Sequence, residues 1–162
     1  MSTIRTLITG ATVVAAGAAA AAVLAATGSA SAGTAATSGS FSVRAHHGSD
    51  TNLDLGASGF SAGDQDLFTG ALTRHGHHAG RFVGTCTTAR VGATTADQLC
   101  EFVLRFGKGQ LTASGTVSSG QSGPGTFVLP ILGGTGRYRD AGGQIAVTAT
   151  NGSSFPIQVS LR

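Results

Sequence analysis

The apolar run Phe127 to Leu132 stops abruptly at Gly133-Gly134-Thr135-Gly136. A basic and aromatic patch, Arg137-Tyr138-Arg139, follows. Asp140 to Gly143 then lead into a second alternating run, Ile145, Val147 and Ala149. Three glycines in four residues open backbone angles closed to other residues, so this stretch reads as a sharp corner between two β-strands. A phosphate-binding loop uses similar glycines but needs a helix N-terminus directly after them. No helical periodicity follows Gly136, which favours the corner.

The chain on either side has the same character. Phe41 to His46 alternates, with Phe41, Val43 and Ala45 on one face and Ser42, Arg44 and His46 on the other, predicting a first strand. Gly48 to Asn52 reads as a turn, Leu53 to Leu55 as a short strand and Gly56 to Gly63 as a loop. Strands are predicted over Asp66–Thr73, Arg81–Val91, Gln98–Phe106 and Gln110–Val117. Arg74–Gly80, Gly92–Asp97 and Gly107–Gly109 connect them, and Ser118–Gly125 is a loop. Pro130 lacks a ladder donor, so a bulge or unpaired position is expected beside it. Asn151-Gly152 between the runs Gly143–Thr150 and Phe155–Arg162 is a hairpin signal. About eight short strands without a fixed repeat predict an all-β domain. A closed antiparallel barrel is the preferred architecture because it leaves no sheet edge exposed. A two-sheet sandwich is the alternative.

The first 32 residues read differently. Arg5 precedes a nearly continuous apolar run, Leu7 to Ala26, and Ala30-Ser31-Ala32 offers a small-residue cleavage site. The expectation is a signal peptide over 1–32, a mature chain from Gly33, a disordered tail over 33–40 and a barrel domain over 41–162. A retained membrane helix is the rival reading of the apolar run. Absence of a cysteine at the cleavage site and of an Arg-Arg pair favours the general secretory route. An extracellular location and no membrane association after cleavage follow. Without Arg5, nine basic residues face seven carboxylates. They are scattered, which gives no footprint for nucleic acid. Cys86 and Cys100 are the only cysteines, and in an exported chain they are expected to pair. They fall on neighbouring predicted strands.

The corner also carries a resemblance. Gly133-Gly134-Thr135-Gly136-Arg137-Tyr138 followed by Ala141-x-Gly143 resembles the signature of the allene oxide cyclase and dirigent-like barrel superfamily. Gly63-Asp64 ahead of the strand Asp66–Leu72, the turn Arg74–Gly80, the strand Val83–Cys86 and the strand Cys100–Phe106 occur in the matching order. The similarity spans roughly residues 41–162. It implies an eight-stranded barrel with an apolar lumen, and no single activity: plant members cyclise allene oxides or steer radical coupling. The family's corner commonly continues Ala-Arg-Gly-Glu. Here Gly142 stands in place of the arginine and Gln144 in place of the acid.

Other chemistry is thin. Gly59-Phe60-Ser61-Ala62-Gly63 matches a nucleophile elbow in letters only, lacking the strand-turn-helix setting that elbow needs. His75, His77 and His78 fall in a turn beside Arg74 and Arg81, and His46-His47 form a second pair. Both read as solvated polar surface, with no metal or cofactor implied. Asp66, Arg137, Tyr138 and Asp140 are the candidate catalytic residues, with Asp64 and Asp66 expected to reach the same barrel mouth as the corner. For the last three, the plainer reading is that they pin the corner. Phe68, Phe82, Phe102, Phe127 and Leu129 are the candidate lining residues. The expected function is binding a small, mainly apolar molecule in the lumen and guiding its cyclisation or coupling, with isomerase, cyclase or dirigent-type activity if it is an enzyme. The alternative is a non-catalytic extracellular barrel acting through its surface as an inhibitor or interaction protein.

Overall fold

A computed structural model describes residues 38–120 and 125–162. The expected signal peptide, and residues 33–37 of the expected tail, lie outside the described residues. Eight strands form one closed antiparallel barrel in sequence order: β1 Gly39–Leu53, β2 Gln65–Arg74, β3 His77–Val91, β4 Thr95–Phe106, β5 Gly109–Gly120, β6 Thr126–Gly134, β7 Gly143–Thr148 and β8 Ser154–Leu161. β8 returns to β1, from Gly39 opposite Leu161 to His46 opposite Ser154. Closure leaves no free edge to protect.

Period-2 alternation builds the interior. Val43, Ala45, Leu72, Phe82, Phe102, Leu104, Leu111, Leu129, Ile145, Val147, Ile157 and Val159 all point inward and are buried. Burying each large side chain among them contributes about 1.5–3 kcal/mol.

Because every connection joins antiparallel neighbours, the loops alternate between two ends. At the upper end lie 54–64, 92–94, the β5–β6 connection and 149–153. At the lower end lie 75–76, 107–108, 135–142 and the outer termini of β1 and β8. The lower end is plugged. Tyr138, buried, stacks on Phe106 with centroids 5.5 Å apart, and Phe106 meets Phe41 edge-on at 5.7 Å.

Three elements differ from the sequence reading. The turn expected at Gly48–Asn52 and the separate strand at Leu53–Leu55 are absent. Instead β1 runs on to Leu53 with a bulge at Gly48, because Ser49 to Leu53 pair with Thr69 to Gln65 of β2. Gly39 and Ser40, read as tail, are held in β1 by Leu161 and Ser160. The glycine corner contains one 3-10 turn, β6 passing into η1, Gly136–Tyr138. Arg137 N–H donates to the Lys108 carbonyl at 2.9 Å and Thr135 N–H to the Gln110 carbonyl at 2.9 Å. The corner is thus laced onto the β4–β5 turn.

Pro130 sits where the β5–β6 ladder ends. β5 pairs with β6 only at Leu111, Thr112 and Ala113, with a shift between Thr112 and Ala113. Above Ala113, β5 pairs with β4, and Thr126 to Pro130 of β6 pair with β7. A proline has no N–H to continue the ladder. The barrel wall is therefore sealed below and parted above, between β5 and β6.

Candidate functional site

The upper half of the lumen holds a cavity of about 350 Å3. That is within the usual size range of small-molecule sites. Phe68, Phe102, Phe127 and Phe155 form its aromatic wall, with Val117 and Val147 between them. The rings interlock: Phe68 and Phe102 centroids are 5.2 Å apart, and Phe102 and Phe127 are 6.1 Å apart. A Cβ at Gly84 would run into the Phe68 ring, so the glycine is what lets that ring lie over β3. The two lips of the parted seam, Val117–Gly120 on β5 and 125–127 at the start of β6, line the opening.

The Cys86–Cys100 disulfide is part of this wall. The two residues face each other across β3 and β4, and both side chains point into the lumen. Beside it, Gln98 lines the cavity, and its amide nitrogen reaches Asp66 Oδ2 at 3.5 Å and Thr88 Oγ1 at 3.4 Å. Burial, then the nearby Asp50 carboxylate, raise the Asp66 pKa above the ordinary aspartate value. His47 completes the polar lining. Its ring lies against Phe155 at 5.1 Å and Phe82 at 6.4 Å.

The candidate residues fall in two places. Phe68, Phe102 and Phe127 line the cavity, while Phe82 and Leu129 are packed below it, fully buried. Asp66 stands behind Gln98 at the upper end. Arg137, Tyr138 and Asp140 sit at the lower end, so the expected shared mouth does not exist. β2 begins at the upper end, whereas the β6–β7 connection closes the lower one. There Arg137 packs its guanidinium over the Tyr138 ring at 5.4 Å, and Tyr138 fills the plug. Among the described residues, no three His, Cys, Asp or Glu side chains converge as a metal set.

His47, Gln98 and Phe155 were not among the sequence candidates. A signal for His47 was present: it extends the inward series Phe41, Val43, Ala45 by two residues. Adjacent residues on a strand face opposite ways, so His46 points outward, bonding Thr73 Oγ1 at 2.9 Å, while His47 points inward.

The upper rim is held by carboxylates. Asp64 accepts hydrogen bonds from the backbone N–H groups of Ser61 (2.6 Å), Leu55 (3.1 Å) and Gly56 (3.1 Å), which tie down the 54–64 loop. The bond from Ser61 is the main cause of its lowered pKa. A lowered folded pKa means stability present above the unfolded value and lost as pH falls through the folded one. Cleavage by an acid-active protease within 55–61 is therefore expected to rise only below pH 3.8, the unfolded reference. Asp64→Ala should show that cleavage already at pH 5, about one unit above the ordinary aspartate pKa. Equal cleavage of both proteins across this range would contradict the assignment.

No protein-family model and no curated protein matches the chain. Solved structures do match in shape. A pyocyanin demethylase superposes with a TM-score of 0.70 at 22% identity, covering 76% of this chain and 99% of that one. The Diels Alderase AbmU from Streptomyces koyangensis gives 0.62 at 21% identity, covering 76% of this chain and 63% of the other. A pterocarpan synthase dirigent protein gives 0.59 at 13% identity, covering 77% and 93%. A nonspecific heme-binding cyclase that catalyses a cycloaddition during neoabyssomicin biosynthesis gives 0.63 at 20% identity, covering 76% and 64%. At these identities the likeness establishes the fold: the chain is an eight-stranded barrel of the allene oxide cyclase and dirigent-like kind, as its glycine corner indicates.

Proposed function

We propose that this protein is a secreted barrel that binds a small, mainly apolar molecule in its upper lumen and guides that molecule's cyclisation or coupling. The observation that carries this reading is the open, aromatic-walled cavity above a plugged lower end. A packed barrel core would leave almost no such space. The solved barrels of this fold include a cycloaddition cyclase, a Diels Alderase and a dirigent protein, which supports a role in ring closure or coupling. The Cys86–Cys100 disulfide suits an oxidising compartment outside the cytosol.

The chemistry this cavity favours is confinement. Its walls supply shape and apolar surface, with few polar groups. Holding reacting ends of one molecule near each other replaces entropy that the free reaction must lose. Asp66, Arg137, Tyr138 and Asp140 have no direct place in such a step, since none of them lines the cavity.

Binding is tested with N-phenyl-1-naphthylamine, an apolar fluorophore that brightens on leaving water. Saturable binding to the native protein is expected. Ala149 stands at the cavity mouth, and Ala149→Trp should weaken binding at least about tenfold, the effect of losing some 1.4 kcal/mol, without lowering the melting temperature. Unchanged binding in a folded Ala149→Trp protein would remove the cavity from the account. It would favour action through the surface, where Leu55 and Phe60 are 60% and 61% exposed on the 54–64 loop.

A further inference from the structure

His47 is the only ionisable side chain that lines the cavity among the described residues. The remaining lining is aromatic, aliphatic, disulfide, amide or hydroxyl. The ring is also prepared to act. Its faces and edges are set by Phe155 at 5.1 Å and 54° and by Phe82 at 6.4 Å and 76°. The backbone beneath it is fixed by the His47 N–H bond to the Ser153 carbonyl at 2.9 Å, beside the Gly48 bulge. The ring nitrogens make no hydrogen bond to any described residue, in contrast to those of His46, which meet Thr73. A ligand reaching His47 displaces water alone and breaks no protein contact.

The second polar handle faces the same space. The Gln98 amide nitrogen is directed at Asp66 and Thr88, which leaves its carbonyl oxygen as an acceptor. Between these handles stand Phe68, Phe102 and Phe127, a wall suited to a planar π-system. A neutral imidazole both donates and accepts, and so does a hydroxyl. A hydroxyl can therefore bond His47 in either tautomer and can donate to Gln98, whereas an ether or a ketone can only accept.

We infer that His47 is the specificity-determining residue of this cavity, selecting planar aromatic molecules that carry a phenol- or enol-type hydroxyl. The inference rests on the lumen being a binding site. It adds the chemical class of the occupant: an apolar ring body against the phenylalanines, with its hydroxyl on the imidazole. An apolar pocket without this handle would prefer the less polar ligand, because a buried hydroxyl with no partner is penalised. The direction of preference is thus diagnostic.

The probes are 2-naphthol and its methyl ether, 2-methoxynaphthalene, titrated into the full-length mature protein and followed by calorimetry. Wild type is expected to bind 2-naphthol about tenfold more tightly than the ether, the size one hydrogen bond commonly supports. His47→Phe should abolish that preference by weakening 2-naphthol while keeping the ether. His47→Gln, which retains a donor and an acceptor, should restore part of it. Thermal melts show whether each variant is folded, and if His47→Phe is not, the ratio in His47→Gln decides, a ratio equal to wild type counting against His47. Equal affinities in wild type, or a preference that survives His47→Phe, would overturn the inference while leaving the cavity reading intact. Binding of neither probe would overturn the cavity reading, and this inference with it.

Discussion

Gly136→Val should leave little folded barrel. Gly136 has φ +61°, in the left-handed region, and a Cβ there would overlap the Lys108 carbonyl oxygen and crowd Gly109 Cα. The conformation alone costs a side-chain-bearing residue about 1–2 kcal/mol. The overlap is with backbone that is already hydrogen-bonded to the corner, since Arg137 N–H donates to that same carbonyl. Neither side can yield without losing the lacing between β6–β7 and the β4–β5 turn. The total should reach at least about 4 kcal/mol, a large share of the roughly 5–15 kcal/mol that holds a domain together. Gly142 supplies the control. A Cβ there meets nothing within 4 Å. Gly142→Val should change stability by less than about 1 kcal/mol. Soluble yield and thermal melts of the two variants give the answer. A Gly136→Val protein that melts like wild type would mean that the corner does not organise the fold.

Removing the disulfide should have the next largest effect. Cys86 and Cys100 are separated by 14 positions, and closing a loop of that length is worth about 3 kcal/mol in the chain-entropy description. Cys86→Ser with Cys100→Ser should lower stability by about 2–5 kcal/mol. Because the bridge forms part of the cavity wall, the same variant should also bind N-phenyl-1-naphthylamine more weakly while still folded. Urea denaturation of the native, reduced and double-serine proteins separates the two effects. Two freely alkylatable thiols in the exported protein, or an unchanged denaturation midpoint, would contradict this role.

The corner was legible because its signal is local. Three glycines in four residues and an aromatic after them specify a bend whatever the rest of the chain does, and Gly136 takes the positive φ such a bend needs. The strand faces were legible for a similar reason, as in Phe155, Ile157, Val159 and Leu161 on β8, all buried. Gly48 shows where that logic stops. Alone it signals a turn, but the ladder from Ser49 to Leu53 along β2 outweighs it and leaves only a bulge. Such pairings link residues far apart in sequence, so no local pattern announces them. His47 was hidden by its neighbour. A His-His pair looks like one surface feature until the strand's alternation is carried through it, after which one imidazole belongs outside and the other inside. The cavity itself depends on where the β5–β6 ladder ends. Pro130 hinted at a local fault, but its consequence, a wall parted above Ala113, is a property of the closed barrel.

The claim that the upper lumen is a binding site is tested most directly by locating a bound molecule. Backbone amide shifts of the isotope-labelled protein are to be recorded during titration with N-phenyl-1-naphthylamine. Saturable shifts are expected at Phe68, Phe102, Val117, Phe127 and Phe155, with Phe106, Arg137 and Tyr138 at the lower end unmoved. Shifts confined to the outer strand faces or the lower end, or no saturable binding at all, would contradict the account.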